Sequence, residues 1–117
     1  MMMLKIKQYD VWLANLDPRH GTEAGKLRPV VVVQTNLLNE MEHPSTIVCP
    51  VTTNVIPDAD PLRVRLSLKE AGTTKPSDIL VDQVRSIDNK RLINRIGSLN
   101  KSSAKLLREN LAILIIS

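Results

Sequence analysis

The sequence predicts a mainly β fold with peripheral α structure: a small, strongly bent antiparallel barrel with helices laid against it. Short apolar segments that favour strands recur about six times, the connections between them are long, and one amphipathic helix is expected near the end of the chain. The 117 residues, of which 43% are hydrophobic, suit one domain with a real core. We therefore expect residues 1–117 to form a single domain.

The clearest strand signal follows Arg28 and Pro29, where four valines run from Val30 to Val33. Side chains that branch at Cβ are stiff at χ1 and favour a pleated sheet, so this run should be a strand buried on both faces. Proline pushes the residue before it into an extended conformation, so Arg28 should enter the strand extended and beside a loop. The charge of Arg28 could serve a function there, or could only limit aggregation at the end of an apolar strand.

The other strands follow from alternation or from continuous apolar runs bounded by turn residues. In the first strand, alternation places Val11 on one face and Trp12 and Ala14 on the other. The strand after residue 78 is unusual because Asp82 and Gln83 interrupt its apolar run. The predicted strands are residues 9–16, 46–51, 63–66, 79–84 and 92–99, with a possible edge strand at 113–116.

Helical and turn segments join these strands. Residues 101–112 should form the final helix, capped by Asn100, and residues 37–41 a single helical turn. A short helix is expected at 67–71, with Ser67 as its cap. Loops are expected at 19–27 and 57–61 and a tight turn at 88–91.

Composition limits the kinds of partner. The net charge of +4 permits a polyanionic partner without requiring one. Only Tyr9 and Trp12 are aromatic, which argues against a base-stacking platform, so any RNA contact must depend on hydrogen bonds and charge.

Cysteine and hydropathy patterns indicate a cytoplasmic protein. Cys49 is the single cysteine, so no internal disulfide can form, and its apolar neighbours favour a buried, inert thiol. The first residues show no signal-peptide pattern, and no run of about 18 apolar residues would span a membrane. The scattered His20, His43 and Cys49 offer no zinc spacing, and no cofactor is expected.

Polar residues stand at several strand ends and would form one patch if those strands adjoin. Their order and spacing resemble the MazF/PemK family of toxin endoribonucleases over nearly the whole chain. The matching segments are Gly21-Thr22-Glu23, Arg28-Pro29-Val30 with Asn36, Cys49-Pro50-Val51-Thr52-Thr53, Asp82-Gln83-Val84-Arg85-Ser86-Ile87-Asp88, Arg91-Leu92 and Ile96-Gly97.

This resemblance implies an SH3-like barrel of the plasmid-maintenance and growth-inhibitor toxin type, which assembles as a homodimer. It also implies metal-independent cleavage of single-stranded RNA at a short sequence, and neutralisation by an antitoxin with an acidic C-terminal tail. The family's catalytic arginine and hydroxyl fall on Arg28 and Thr52. The expected RNA-binding residues are Glu23, Lys26, Thr53, Gln83 and Arg85.

Some members of the family carry a histidine at the position of Thr22 and an arginine at that of Leu80, and this chain has neither. Their acid and base set is therefore not expected here. Asp82 matches the family, and its role could equally be to orient a strand or a dimer interface.

Two alternatives to a ribonuclease stay open. Gyrase poisons of the same fold, the CcdB-like toxins, depend on a tryptophan near the C-terminus, whereas this chain has its only tryptophan at position 12. A member that binds RNA or antitoxin without cutting is the other alternative, but Arg28 and Thr52 give no reason to prefer it.

Overall fold

The computed structural model describes residues 5–17, 21–22 and 26–116. Within these ranges there are seven strands and two α-helices. The strands are β1 (Asp10–Asn15), β2 (Leu27–Val32), β3 (Ser45–Thr52), β4 (Arg63–Leu66), β5 (Ser77–Leu80), β6 (Arg85–Asp88) and β7 (Leu92–Ser98). The helices are α1 (Asn36–Glu40) and α2 (Lys101–Ile115), and 3-10 turns occupy Glu70–Gly72, Val81–Gln83 and Asn89–Arg91.

All strand pairs are antiparallel, in the order β4-β5-β3-β2-β1-β7, and β6 pairs with β3 beyond the end of β5. The predicted mainly β class is confirmed. Closure of the barrel is not confirmed. Within the described residues, the hydrogen-bonded sheet ends at β4 and β7 and does not form a complete barrel. The 3-10 turn Asn89–Arg91 is the covalent link that carries β6 into β7.

The sheet has an apolar cluster on each face. One contains Val11, Val31, Cys49 and Leu107, and so lies between the sheet and α2. The other contains Trp12 and Val30, together with residues of β3, β6 and β7. Val30, Val31 and Val32 are each 0% exposed, so the prediction of a strand buried on both faces is confirmed.

The final helix begins as predicted. The Asn100 side-chain oxygen accepts a hydrogen bond from the Ser103 N–H at 2.8 Å, which satisfies one of the free amides of the first turn. Leu107 is fully buried against the sheet. The helix continues to Ile115, so the predicted edge strand at 113–116 is wrong, because an apolar segment with no breaker simply extends the helix. No helix in the described ranges has both the length and the apolar character to cross a bilayer.

The predicted strand at 79–84 is confirmed only at residues 79–80. β5 ends at Leu80, and Val81–Gln83 form a 3-10 turn before β6 begins at Arg85. The polar pair Asp82 and Gln83 marks the corner between these strands, where both side chains can stay partly exposed.

The predicted helix at 67–71 is replaced by the 3-10 turn Glu70–Gly72. Lys69 and Ala71 have φ values of 69° and 59°, which an α-helix cannot contain. This turn lies against β7, where a Cβ on Gly97 would come within 2.6 Å of the Ala71 carbonyl carbon. Close packing between two backbones therefore overrides the local helical signal.

Candidate functional site

Arg28 and Thr52 lie on neighbouring strands at one end of the sheet. β2 and β3 pair from Val32 opposite Val48 to Val30 opposite Pro50, and Arg28 and Thr52 each lie two residues beyond this last pair, at the same end of the two strands. Residues opposite each other in an antiparallel pair project to the same face, so both side chains belong to the face of Val30 and Val48. Both are partly buried, which leaves them accessible at the edge of that apolar cluster.

The same row of residues continues across two more strands. Thr52 pairs with Asp78 of β5, and Asp78 pairs with Arg65 of β4. We call Arg28, Thr52, Asp78 and Arg65 the four-strand row. Within this row, the Thr52 hydroxyl has the Asp78 carboxylate as its neighbour on β5.

Asp78 is 1% exposed and its carboxylate is fully engaged by donors. Its Oδ1 accepts a hydrogen bond from Arg65 Nε at 2.5 Å, and its Oδ2 accepts from Arg63 Nη1 at 3.2 Å. Burial acts to raise the pKa of Asp78, but the hydrogen bonds from Arg65, the Ile56 N–H and Arg63 outweigh it and the pKa is lowered. Asp78 is therefore an anion at neutral pH.

The chain just beyond Thr52 is held by this network. The Ile56 N–H donates to Asp78 Oδ2 at 2.9 Å, and Arg63 Nη1 donates to the Asn54 carbonyl at 2.7 Å. The Asn54 N–H in turn donates to the Thr52 hydroxyl oxygen at 3.1 Å. A hydroxyl that accepts in this way still has its own hydrogen to donate to a ligand.

The loop between β1 and β2 is anchored to the sheet. The Lys26 N–H donates to Asp17 Oδ1 at 2.6 Å, and Lys26 takes the left-handed conformation with φ of 65°. Arg91 Nη1 donates to the carbonyls of Asn15 and Asp17. These contacts fix the base of the loop and leave the Lys26 side chain exposed two residues before Arg28.

Gln83 ties this loop to the corner between β5 and β6. Its Nε2 donates to the Thr22 carbonyl at 3.1 Å. The predicted RNA-binding residue Glu23 lies outside the described residues. Gln83 was predicted to bind RNA, and the contact observed for it is to protein backbone, so its RNA-binding role stays a prediction.

Arg85 lies on the same face of the sheet as Thr52. It pairs with Val48 across β6 and β3, and Val48 and Thr52 are four residues apart on one strand. Thr53 is exposed immediately beyond the end of β3. Arg28, Thr52 and Arg85 thus share one surface, with Lys26, Thr53 and Gln83 at the ends of the elements around it.

Three residues of this region carry roles that the sequence did not reveal: Asp78, Arg63 and Arg91. Arg63 and Arg65 alternate with apolar residues, which is the pattern of a strand with one solvated face, and nothing in the sequence marks Asp78 as their partner. The only available signal was a carboxylate next to the apolar run Ile79–Val81. Strand pairing, which sequence pattern does not give, was needed to bring it to Arg63.

Cys49 is fully buried, as predicted. Burial, and secondarily the nearby Asp82 carboxylate, raise the pKa of its thiol to about 12. Such a thiol is protonated and unreactive at neutral pH. Across residues 5–17, 21–22 and 26–116, no group of three or more His, Cys, Asp or Glu side chains is arranged to hold a metal ion.

Comparison with known proteins shows which family this chain resembles. Residues 7–115 match the family described as PemK-like, MazF-like toxin of type II toxin-antitoxin system. Endoribonuclease MazF of Staphylococcus epidermidis is 36% identical over 97 residues, which is 83% of this chain and 80% of that protein. Endoribonuclease EndoA of Bacillus subtilis is 36% identical over 95 residues, which is 81% of each chain.

Solved structures share the fold. The crystal structure of MazF from Deinococcus radiodurans superposes with a TM-score of 0.80 at 23% identity, covering 96% of this chain and 97% of the other. A MazE-MazF crystal structure from the same organism gives 0.74 at 22% identity, with 96% and 97% covered. The match to the family over residues 7–115, with two relatives at 36% identity, shows that this chain belongs to the PemK-like, MazF-like toxins of type II toxin-antitoxin systems.

Proposed function

We propose that this protein is the toxin of a type II toxin-antitoxin system and cleaves single-stranded RNA at a short sequence, without a metal ion. The observation that supports this proposal is that Arg28 and Thr52 stand at the same end of two paired strands, each two residues beyond the last paired residues Val30 and Pro50. The two relatives at 36% identity, both named endoribonucleases, support it. Cleavage of messenger RNA would inhibit translation and growth.

The chemistry needs few groups because RNA carries its own nucleophile. The ribose 2′-hydroxyl attacks the adjacent phosphorus, a new bond forms between the 2′-oxygen and phosphorus, and the bond to the 5′-oxygen breaks. The proton lost by the 2′-hydroxyl is balanced by the one that the departing 5′-oxygen gains. The products are a 2′,3′-cyclic phosphate and a 5′-hydroxyl end.

Arg28 and Thr52 are the catalytic residues of this proposal. A guanidinium is always charged and can bind two phosphate oxygens at once, so Arg28 stabilises the charge that develops on the phosphorane. Thr52 donates its hydroxyl hydrogen to a phosphoryl oxygen, while its oxygen accepts from the Asn54 N–H. The pair fixes the phosphate against one face of the sheet.

The RNA strand is proposed to cross the surface around this pair. Arg85 shares the face of Thr52, and Lys26 is exposed at the return of the β1–β2 loop, so both can contact backbone phosphates. Thr53, Gln83 and Glu23 would contribute hydrogen bonds to bases or sugars. With so few aromatic residues, sequence recognition here depends on hydrogen bonds.

The antitoxin partner is proposed to bind over the same surface. Membership of a toxin-antitoxin family supports a dedicated partner protein. An acidic, partly disordered C-terminal tail of that antitoxin would compete with RNA for Arg28, Arg85 and Lys26. Titration of an RNA complex with antitoxin should therefore release the RNA, and binding of both together would contradict this competition.

A homodimer in the cytoplasm is the proposed working form. Near the end of α2, Ile115 and Ile116 are 62% and 82% exposed, and they line one groove with Ile47, which is 38% exposed. Such a continuous aliphatic surface favours association with a second copy. Ile115→Glu should shift the sedimentation coefficient to that of a monomer, whereas the exposed control Lys105→Glu should not.

Mapping of RNA ends tests the enzymatic proposal. Purified protein is incubated in EDTA with several long single-stranded transcripts, and the new ends are sequenced. Cuts at one short motif, with cyclic phosphate and 5′-hydroxyl ends, are expected. RNA that stays intact in every transcript would contradict the proposal, and a gyrase inhibition assay would then examine the CcdB-like alternative.

A further inference from the structure

The buried carboxylate of Asp78 is the side chain that links the chain beyond Thr52 to the rest of the sheet. We propose that Asp78, acting through Arg63, is a positioning residue that sets the Thr52 hydroxyl for catalysis. This inference rests on the proposed ribonuclease function and deepens it. Asp78 does not contact RNA in this proposal, and its effect reaches the substrate only through Thr52.

The first support is the position of Asp78 in the sheet. It is the direct partner of Thr52 in the β3–β5 ladder and the direct partner of Arg65 in the β4–β5 ladder. Partners of this kind project side by side from one face. A change in the Asp78 side chain therefore alters the surroundings of Thr52, its neighbour in the four-strand row.

The second support is a set of hydrogen bonds that connects Asp78 to the Thr52 hydroxyl through the backbone of Asn54. Asp78 Oδ2 accepts from both Arg63 Nη1 and the Ile56 N–H, and the same Arg63 nitrogen donates to the Asn54 carbonyl. The Asn54 N–H then donates to the Thr52 hydroxyl oxygen. Hydrogen bonds therefore hold the backbone at residues 54 and 56. This fixes the direction from which the Asn54 N–H donates to the Thr52 hydroxyl oxygen.

The third support is electrostatic. Asp78 is 1% exposed, and its single negative charge is matched by two arginines, so the trio keeps a net positive charge. The Arg65 side chain is 47% exposed, so the excess positive charge of the trio faces solvent. A carboxylate can therefore stand next to the phosphate site without repelling RNA.

Asp78→Asn tests this role, because asparagine keeps the shape but loses the charge that holds both arginines. The matched control is Asp10→Asn, which breaks another buried carboxylate–arginine pair, Asp10 with Arg95 at 3.2 Å, elsewhere on the sheet. Single-turnover cleavage at saturating RNA should fall roughly tenfold to a hundredfold in Asp78→Asn. The RNA dissociation constant should change less than about threefold, and Asp10→Asn should cleave at the wild-type rate.

A double variant separates positioning from simple loss of stability. In a Thr52→Ala background, Asp78→Asn should cause almost no further loss of cleavage, because the group that it positions is already gone. A further loss as large as that of the single variant would overturn the proposal. So would a wild-type cleavage rate in Asp78→Asn. Wild-type protein that cuts no RNA at all would instead overturn the proposed function, and this role with it.

If Asp78→Asn does not fold, Arg63 provides the second test. Arg63→Met removes the donor to the Asn54 carbonyl but leaves the Asp78–Arg65 pair in place. It should slow cleavage in the same way, and Arg63→Lys, which can still donate, should restore part of the rate. Amide hydrogen exchange at Ile56 should rise in Arg63→Met. Unchanged exchange together with unchanged cleavage would overturn the proposal.

Discussion

Thr52 and Asp78 are direct partners across β3 and β5, so a hydroxyl and a fully buried carboxylate stand side by side on one face of the sheet. The arginines that bind Asp78 come from the next strand, and one of them also holds the backbone beyond Thr52. The candidate site is therefore built on sheet register and supported from β4 and β5.

The free energy of unfolding should depend on pH through Asp78. Its pKa in the folded protein is lowered below the ordinary value of 3.8, so its contribution is fully present above that value and is lost as pH falls through the folded pKa. Urea unfolding of wild type and Asp78→Asn should therefore give a stability difference that is constant near neutrality and shrinks below about pH 4. A difference that stayed constant down to pH 2 would contradict the lowered pKa.

Cys49 should resist alkylation in the native protein. Its pKa of about 12, against an ordinary 9.0, lowers the thiolate fraction about a thousandfold near pH 8, and burial blocks access as well. Iodoacetamide should label the protein in urea and leave it nearly unlabelled without urea, as read by mass spectrometry. Rapid native labelling would show that the cluster beneath α2 opens.

Gly97→Ala should destabilise the fold. The new Cβ would stand 2.6 Å from the Ala71 carbonyl carbon and 2.9 Å from the Gly72 nitrogen, and backbone cannot move aside cheaply. Overpacking of this kind costs about 1 to 3 kcal/mol. Urea unfolding should show this loss, whereas Ser98→Ala, at the exposed neighbouring residue, should leave the free energy of unfolding within about 0.5 kcal/mol.

Arg91 should control the loop that carries Lys26. Its guanidinium donates to the carbonyls of Asn15 and Asp17 at the base of that loop. Arg91→Ala should speed amide exchange of Lys26 and weaken RNA binding, with a smaller effect on the cleavage rate at saturating RNA. The exposed neighbour Lys90→Ala serves as control, and equal effects of the two variants would count against a loop anchor.

Sequence pattern predicted the mainly β class, a doubly buried strand at Val30–Val33 that the structure confirms as far as Val32, and the Asn100 cap, because these depend on local chemistry and on burial. Sequence pattern did not predict the conformation of two segments. At Val81–Gln83 the chain turns a corner between two strands, and at Glu70–Gly72 its backbone packs closely against that of β7. Local propensity carries no information about either. Family resemblance pointed to Arg28 and Thr52, and the pairing of β2 with β3 brings the strand ends that carry them to one side of the sheet.

The residues that support the site could not be predicted from the sequence, for the same reason. Asp78, Arg63 and Asn54 are separated by 9 to 24 residues along the chain and meet only through the pairing of β4 with β5 and the turn after β3. Without that pairing, the arginines of β4 resemble ordinary solvated charges.

The most direct test of the central claim is a double-mutant cycle on Arg28 and Thr52, measured as single-turnover RNA cleavage in EDTA with circular dichroism as the folding control. Each alanine variant should lose on the order of a hundred- to a thousandfold in rate, because each removes a group that stabilises the same phosphate. The double variant should lose far less than the product of the two. A folded Arg28→Ala protein that cuts at the wild-type rate, or two losses that multiply, would contradict a site in which these residues act together.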